Sequence, residues 1–385
     1  MSENVTAAPR REVSPVELLF DLAFVLAMIQ LTHHLVAHLG WREGAETAVM
    51  LVAVYSVWTF TSFHLTLRDV ERRSTRAVTI LVMGLALVMN GAIGVAFEDG
   101  AWLFAVPLVL AGAVPSALSA VREGQTFFRS HSRHMLVWIA LSAPLWLGGA
   151  AVDPEARLWW WVAAAVIDLI GVFTAHPIPG HVLAPTVVDY DAPHMFERMR
   201  LFLLILLGET ILGIGGAIAD AGPEPMVVAG VVGAFVAVVC LWYSYFGGAE
   251  ELVVAEAHDT RDPIGAVHRG IVVLLFVMAG LIMLAAGADL VVAEVDAARA
   301  GAGGALLLAG PALFLAAQAA YVLGAGMTRW RVRIVGAALL VAGAAVAPSL
   351  PPLGAVALLD MILVPVVVGA NWRATDAPAD PRGEA

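Results

Sequence analysis

The chain has 385 residues, of which 60% are hydrophobic and only 14% charged, well under the roughly 25% charged of an average soluble domain. Its net charge of −11 comes with no basic stripe, which excludes the usual footprint of a nucleic-acid binder. One cysteine, Cys240, rules out a disulfide framework or a CxxC metal site within the chain.

The apolar residues gather in blocks of about twenty, the length of helix that crosses a hydrocarbon core of roughly 30 Å. The first residues, MSENVTAAPRREVSP, are polar, and Glu17 and Asp21 interrupt the apolar run behind them. That order is wrong for a cleaved signal peptide, so the first helix is expected to remain. Blocks and breakers place spans near 16–38, 46–67, 76–97, 101–121, 134–152 and 156–176. After a proline-rich connector, HPIPGHVLAPTVVDYDAPH, six more fall near 195–219, 226–247, 267–288, 303–325, 331–347 and 352–371. Several, such as GAALLVAGAAVA, are rich in the small residues that let helices pack closely in lipid. The expected fold is an all-α integral membrane protein of about twelve transmembrane helices, with the lipid bilayer as its first partner. Its parts are a disordered N-terminus (1–13), a first six-span half (14–176), a connector (177–194), a second six-span half (195–372) and a disordered C-terminal tail (373–385).

All 21 basic residues are arginine. Eighteen of them, from Arg10 and Arg11 to Arg382, fall in or beside the N-terminus, the even-to-odd loops and the C-terminal tail. Only Arg42, Arg157 and Arg299 fall on the opposite side. Under the positive-inside rule this split puts both termini in the cytoplasm, and a missed span would have scrambled it.

The halves also echo one another. Glu17 and Glu197 open spans one and seven, 180 residues apart, and Trp58 answers Trp242 at 184. Arg76 answers Arg269 at 193 and Asp168 answers Asp360 at 192. Drifting offsets of this kind are what loop insertions leave in a duplicated unit. Because six spans preserve direction, the repeats are expected to be parallel, related by an axis along the membrane normal.

Several polar groups interrupt the apolar runs. Glu209, in LLILLGETILGIGG, lies about ten residues beyond the inner boundary, roughly 15 Å along a helix, which is mid-membrane. A charge there costs roughly 3 kcal/mol or more. Such a group is expected to face the bundle interior, either acting on ions or protons or staying protonated as a hydrogen bonder between helices. Span one carries Glu17 and Asp21, four apart on one face near the inner end, with Gln30, His33 and His34 toward the outer side. Two carboxylates at that spacing can share a proton, grip a cation or pair with arginine from the inner loops. His64, in the inward-running second span, should lie at their depth as a titratable partner. The adjacent His33 and His34 point to different helix faces without a third ligand, so no metal site is expected. Asp168 and Asp360 take equivalent places in the last span of each half. Asn90 and Gln318 read as hydrogen bonders between helices, and the tryptophans at 159–161 as an interfacial belt.

There is no P-loop, GxSxG, HExxH or dinucleotide fingerprint, so no cofactor is implied and an enzyme is disfavoured.

Two stretches resemble a known family. VELLFDLAFVLAMIQLTHHL (16–35) is similar to the opening motif of the bacterial low temperature requirement protein A (LtrA) family, E-L-x-F-D-L-x-F-V followed by Q-L-[ST]-H. HMFERMRLFLLILLGETILGI (194–214) resembles that family's second motif, H-x-x-E-R, an apolar stretch and then L-G-E-[ST]. Position by position, the resemblance marks Glu17, Phe20, Asp21, Gln30, His33, His194, Glu197, Arg198, Gly208, Glu209 and Thr210. It departs at Arg200, where a small residue is commoner, and at Gly247, where an aspartate is. It implies a multi-span protein of the bacterial inner membrane linked by name to growth in the cold, and no agreed biochemical activity.

The expected function is transport of a small solute or ion, with a protonatable polar site holding Glu209, Asp21, Asp168 and Asp360 between the halves. Two alternatives stay open. One is an ion channel, since the F-D-L-x-F-V opening is faintly similar to the first-span F-S-D motif of twelve-span endolysosomal potassium channels. The other is a membrane-embedded enzyme acting on a lipid-accessible substrate.

Overall fold

The computed structural model describes residues 12–37, 39–66, 70, 72–122, 126–174, 176–178, 191–247, 263–324 and 330–372. Most of the expected tails and connector (1–11, 179–190 and 373–385) lie outside the described residues. Twelve helices are long and apolar enough to cross a membrane. In the first half they are Pro15–Ala37, Trp41–Thr66, Arg73–Gly91, Ala101–Ala120, Ser132–Ala151 and Pro154–Thr174. In the second half they are Ala192–Ala219, Pro225–Phe246, Ile264–Ala293, Gly301–Gly324, Trp330–Ser349 and Pro352–Ala370. We refer to them as spans one to twelve. The end at which spans one and seven begin is called the near end, and the opposite one the far end.

Every expected span has its helix, with ends displaced by a few residues. Span three stops at Gly91 instead of near 97, and a short 3₁₀ turn, Ile93–Val95, follows. Gly91 and Gly94 are poor helix formers and free the chain to turn there.

Span one is two helices, Pro15–Leu22 and Val25–Ala37. Around the break the amides of Ala23, Phe24 and Ala27 bond three residues back, to Phe20, Asp21 and Phe24, the tighter pattern of a 3₁₀ turn. Asn90 of span three donates its side-chain amide to the Ala23 carbonyl at 2.8 Å, so the polar backbone exposed by the break is satisfied inside the bundle. No proline or glycine marks this position in the sequence.

The same pairs of spans meet in each half. One packs on two and three; two packs on three, four and six; and three to six pack in sequence, as seven to twelve do in the corresponding order. Between the halves, spans one and two pack on both seven and nine. Span three makes no comparable packing on seven or eight among the described residues, so the junction is lopsided. Small residues set the closest approach: a Cβ at Gly280 of span nine would sit 2.7 Å from the Gly310 carbonyl oxygen of span ten.

Two of the three far-end arginines are built into the structure. Arg157 is buried and donates to the carbonyls of Ala96, Glu98, Gly149 and Val152, at 2.7 to 3.2 Å. Arg42 pairs with Glu46 at 2.8 Å, and Glu46 also meets His34 at 3.0 Å. Of the tryptophan run, Trp159 and Trp160 are exposed as a belt would be, while Trp161 is fully buried in the core.

Candidate functional site

Ser14 caps the first helix. Its hydroxyl accepts from the Glu17 amide at 3.4 Å while its own amide and hydroxyl donate to Glu17 Oε2 at 2.9 and 2.8 Å, a reciprocal capping box. With Oε2 so held, Glu17 Oε1 faces span seven and meets His194 Nε2 at 3.0 Å. Asp191 caps span seven, its carboxylate accepting from the His194 amide at 3.0 Å, which fixes the turn that carries His194.

One turn further along each helix lies a second contact. Arg198 Nη2 donates to Asp21 Oδ1 at 2.9 Å, and Trp58 Nε1 of span two donates to the same oxygen at 2.8 Å. Arg198 also reaches Glu17 Oε1 at 3.9 Å and the Ser62 carbonyl at 3.4 Å, and its guanidinium lies 5.7 Å from the centre of the Phe20 ring. Trp58 is held in turn by stacking on Phe202, ring centres 4.5 Å apart. Glu17, Asp21 and Arg198 are all 0% exposed. Removing such charges from water is so unfavourable that close pairing is a condition of their being there at all. Asp21 Oδ2 nevertheless has no hydrogen-bond partner.

Beside this cluster, a cavity of about 760 Å³ runs into the second half. Its near-end rim carries Glu12, Asp191, Glu197 and Arg200; Val273, Leu274 and Val277 of span nine line its wall; Gln318, Tyr321 and Arg333 face it from spans ten and eleven. His194 belongs to both the cavity wall and the buried cluster. Glu197 and Arg200 pair at 3.2 Å but are about 40% exposed, a geometry that contributes little to stability.

The remaining expected site residues disperse. Asp168 accepts from Trp146 of span five at 2.9 Å. Asp360 lies against span eight, where a Cβ on Gly233 would come within 3.2 Å of its Oδ2, and its Oδ1 is buried with no hydrogen-bond partner. The two aspartates thus face different neighbours. Glu209 is half-buried and makes no hydrogen bond or ion pair within the described residues. The expectation that Glu209 faces the bundle interior is therefore overturned, as is that of one polar site holding all four carboxylates. Thr210 bonds only back to the Leu206 carbonyl of its own helix, at 3.0 Å. Gln30 is half-buried with no hydrogen bond to Glu209. His33 is exposed, and it is His34 that finds a carboxylate. His64 bonds to the Phe60 carbonyl at 3.0 Å, and the imidazole on Glu17 is that of His194 instead. The offset matches are likewise unequal in chemistry: Glu17 and Trp58 are fully buried, whereas Glu197 and Trp242 are substantially exposed.

A group of polar residues in the second half was under-read in the sequence. Gln318 Oε1 accepts from Ser244 Oγ at 2.7 Å and from Arg333 Nε at 3.4 Å, and Arg333 also donates to the Ser244 carbonyl at 3.2 Å. Gln318 could be picked out as a polar residue in an apolar span, but Arg333 was counted with the loop arginines.

An all-helical bundle of twelve spanning helices, with a dry ion-pair cluster between its first and seventh, defines a polytopic membrane protein. The chain belongs to the family described as bacterial low temperature requirement A protein (LtrA), whose model matches residues 12–368. It is similar to an uncharacterized protein of Rhizobium meliloti (strain 1021), 31% identical over 280 residues, a match covering 68% of this chain and 66% of that one. No solved structure matches the chain.

Proposed function

We propose that the protein is a transporter of the bacterial inner membrane, with both termini in the cytoplasm. It takes a small solute into the near-end cavity and moves it by rearranging the junction between two parallel six-span repeats. The observation that carries this reading is the double role of His194, which lines the cavity while bonding to Glu17 in the dry cluster. The cluster sets two carboxylates against one guanidinium and one imidazole. It is neutral when His194 is protonated and singly negative when it is not, the stoichiometry a proton-coupled step requires. The break in span one beside this cluster fits the discontinuous helices around which transporters build their sites, and the repeated pairs of neighbouring spans support duplication.

Purified protein in proteoliposomes containing a pH-sensitive dye tests the reading against panels of small solutes. The expected result is a saturable, solute-driven pH change lost in His194→Gln. Solute-independent current that does not saturate would overturn it in favour of a channel. Orientation is tested separately: cysteines placed at Asp99 and Glu224 should react with an impermeant maleimide in intact cells, and one at Arg133 should not.

The channel reading draws on one observation of its own. Glu209 sits half-exposed at mid-span among glycines whose added Cβ atoms would meet nothing, as a carboxylate lining a pathway between copies would.

A further inference from the structure

We infer that the near-end cavity binds an amphipathic anion, its acidic head at Gln318 and Arg333 and its apolar chain along span nine. This rests on the reading of that cavity as the solute site and adds the class of the solute. Gln318 is only 5% exposed. Its carbonyl oxygen is occupied by Ser244 Oγ and Arg333 Nε, and because a guanidinium can only donate, the oxygen has to be the atom facing Arg333. The amide nitrogen, with two protons to give, makes no hydrogen bond within the described residues. It is not sealed into the protein either, and the side chain lines the cavity. A buried donor of this kind is satisfied by an acceptor oxygen from a ligand. Arg333, 3% exposed and bonded to the same Gln318 oxygen, places a positive charge directly behind that donor. Together they favour an oxygen that carries negative charge.

Past the head, the lining turns apolar. Gly270, Val273, Leu274 and Val277 recur at the spacing of one helix face and line the cavity. They extend it roughly 10 Å further into the membrane. Gly270 leaves room that a Cβ would take from Met199 and Phe196, at 3.0 and 3.2 Å. Polar head near the boundary and apolar wall toward the middle is the polarity profile of an amphiphile. The acidic rim does not oppose this. Glu197 is paired with Arg200 and Asp191 caps span seven, which leaves Glu12, exposed to water where salt screens it. A volume of about 760 Å³ suits a ligand of drug-like size.

The test uses the full chain in nanodiscs of zwitterionic lipid, with tritiated octanoate as probe and protein-free discs as reference. Saturable binding is expected, tightening up to about fourfold per added methylene from hexanoate onward until the chain fills the cavity. Gln318→Leu should weaken octanoate at least tenfold. Val277→Trp, which fills the inner end and leaves the head site intact, should abolish the gain from longer chains while hexanoate still binds. Octylammonium binding as tightly as octanoate, or affinity indifferent to chain length, would overturn the inference. So would a Gln318→Leu variant that melts earlier but binds octanoate unchanged, since the glutamine would then serve only to join helices. Adding an anionic phospholipid to the discs identifies the source: competition assigns the site to a lipid headgroup, and no competition to a free carboxylate, each supporting an amphipathic anion. Binding without uptake in proteoliposomes would sink the transport reading and leave the ligand class standing. Saturable uptake of a cation, blocked by Val277→Trp, would do the reverse.

Discussion

Arg198 and Glu209 stand eleven residues apart on span seven, about three turns, and the bundle treats them in opposite ways. Around Arg198, spans one and two close in, and the guanidinium is fully buried with partners from both. Around Glu209 nothing within the chain offers a partner; Leu204 and Ile211 are exposed, and Leu212 is 70% exposed. One helix thus carries a tight junction at its near end and an open, glycine-rich face beyond its middle. The comparison shows that an ionisable residue inside a span is not defined by depth alone. What decides its state is whether a neighbouring helix brings a complementary group to the same level.

The severest way to break the comparison is to remove the charge at the closed end. Arg198→Leu leaves Asp21 and Glu17 buried with their main cation gone, and should destabilise the protein by about 3 to 5 kcal/mol. Arg198→Leu with Asp21→Leu should recover much of that loss, because an apolar pair needs no compensation. Thermal unfolding of purified protein measures both, and equal melting of single variant and wild type would mean the cluster is not the junction described.

His176, just beyond the last residue of span six, sharpens the contrast as a group buried without a carboxylate beside it. Packed between the Phe60 and Trp138 rings, its imidazole is held down to about 4, first by burial and then by the nearby His268 and His134. The unfolded value is about 6.5. Because the folded chain releases this proton more readily, the contribution of His176 to stability is complete above about pH 6.5 and is lost as pH falls toward 4. The loss should reach about 3 kcal/mol. His176→Asn, a residue that tolerates the positive φ of 55° at this position, should flatten the pH dependence of unfolding over that window. An unchanged slope would assign the acid sensitivity to other groups.

A smaller effect is expected at Trp58, whose ring stays packed in Trp58→Phe while the 2.8 Å donor to Asp21 disappears. The expected loss is about 2 kcal/mol, as for a hydrogen bond to a charged group, and it should vanish when Asp21 is already leucine. Smallest of all is Glu209→Gln, which should change stability by less than about 0.5 kcal/mol. A loss of 2 kcal/mol or more in native membranes, absent in dispersed protein, would show that the open face of span seven is covered there.

The number and boundaries of the spans were legible in the sequence because they depend on the length of apolar runs, a property each segment has alone. Glycine packing between spans nine and ten followed from composition for the same reason. The spacing of Glu17 and Asp21 showed that two carboxylates share a face and that arginine was one available partner. It could not show that the arginine is Arg198, nor that His194 takes the other carboxylate, since those partners lie 177 residues away. The break in span one has no proline or glycine to announce it and depends on Asn90 arriving from span three. The same limit misplaced Glu209: depth follows from counting residues along one helix, whereas facing inward or outward depends on which other helices pack there. Asp168 and Asp360 occupy matching places in the two halves and still meet different neighbours, because near-equivalent backbones carry different side chains around them. Local hydrophobicity therefore determined what crosses the membrane, and only the packing of distant helices decided which charges are joined and where the cavity lies.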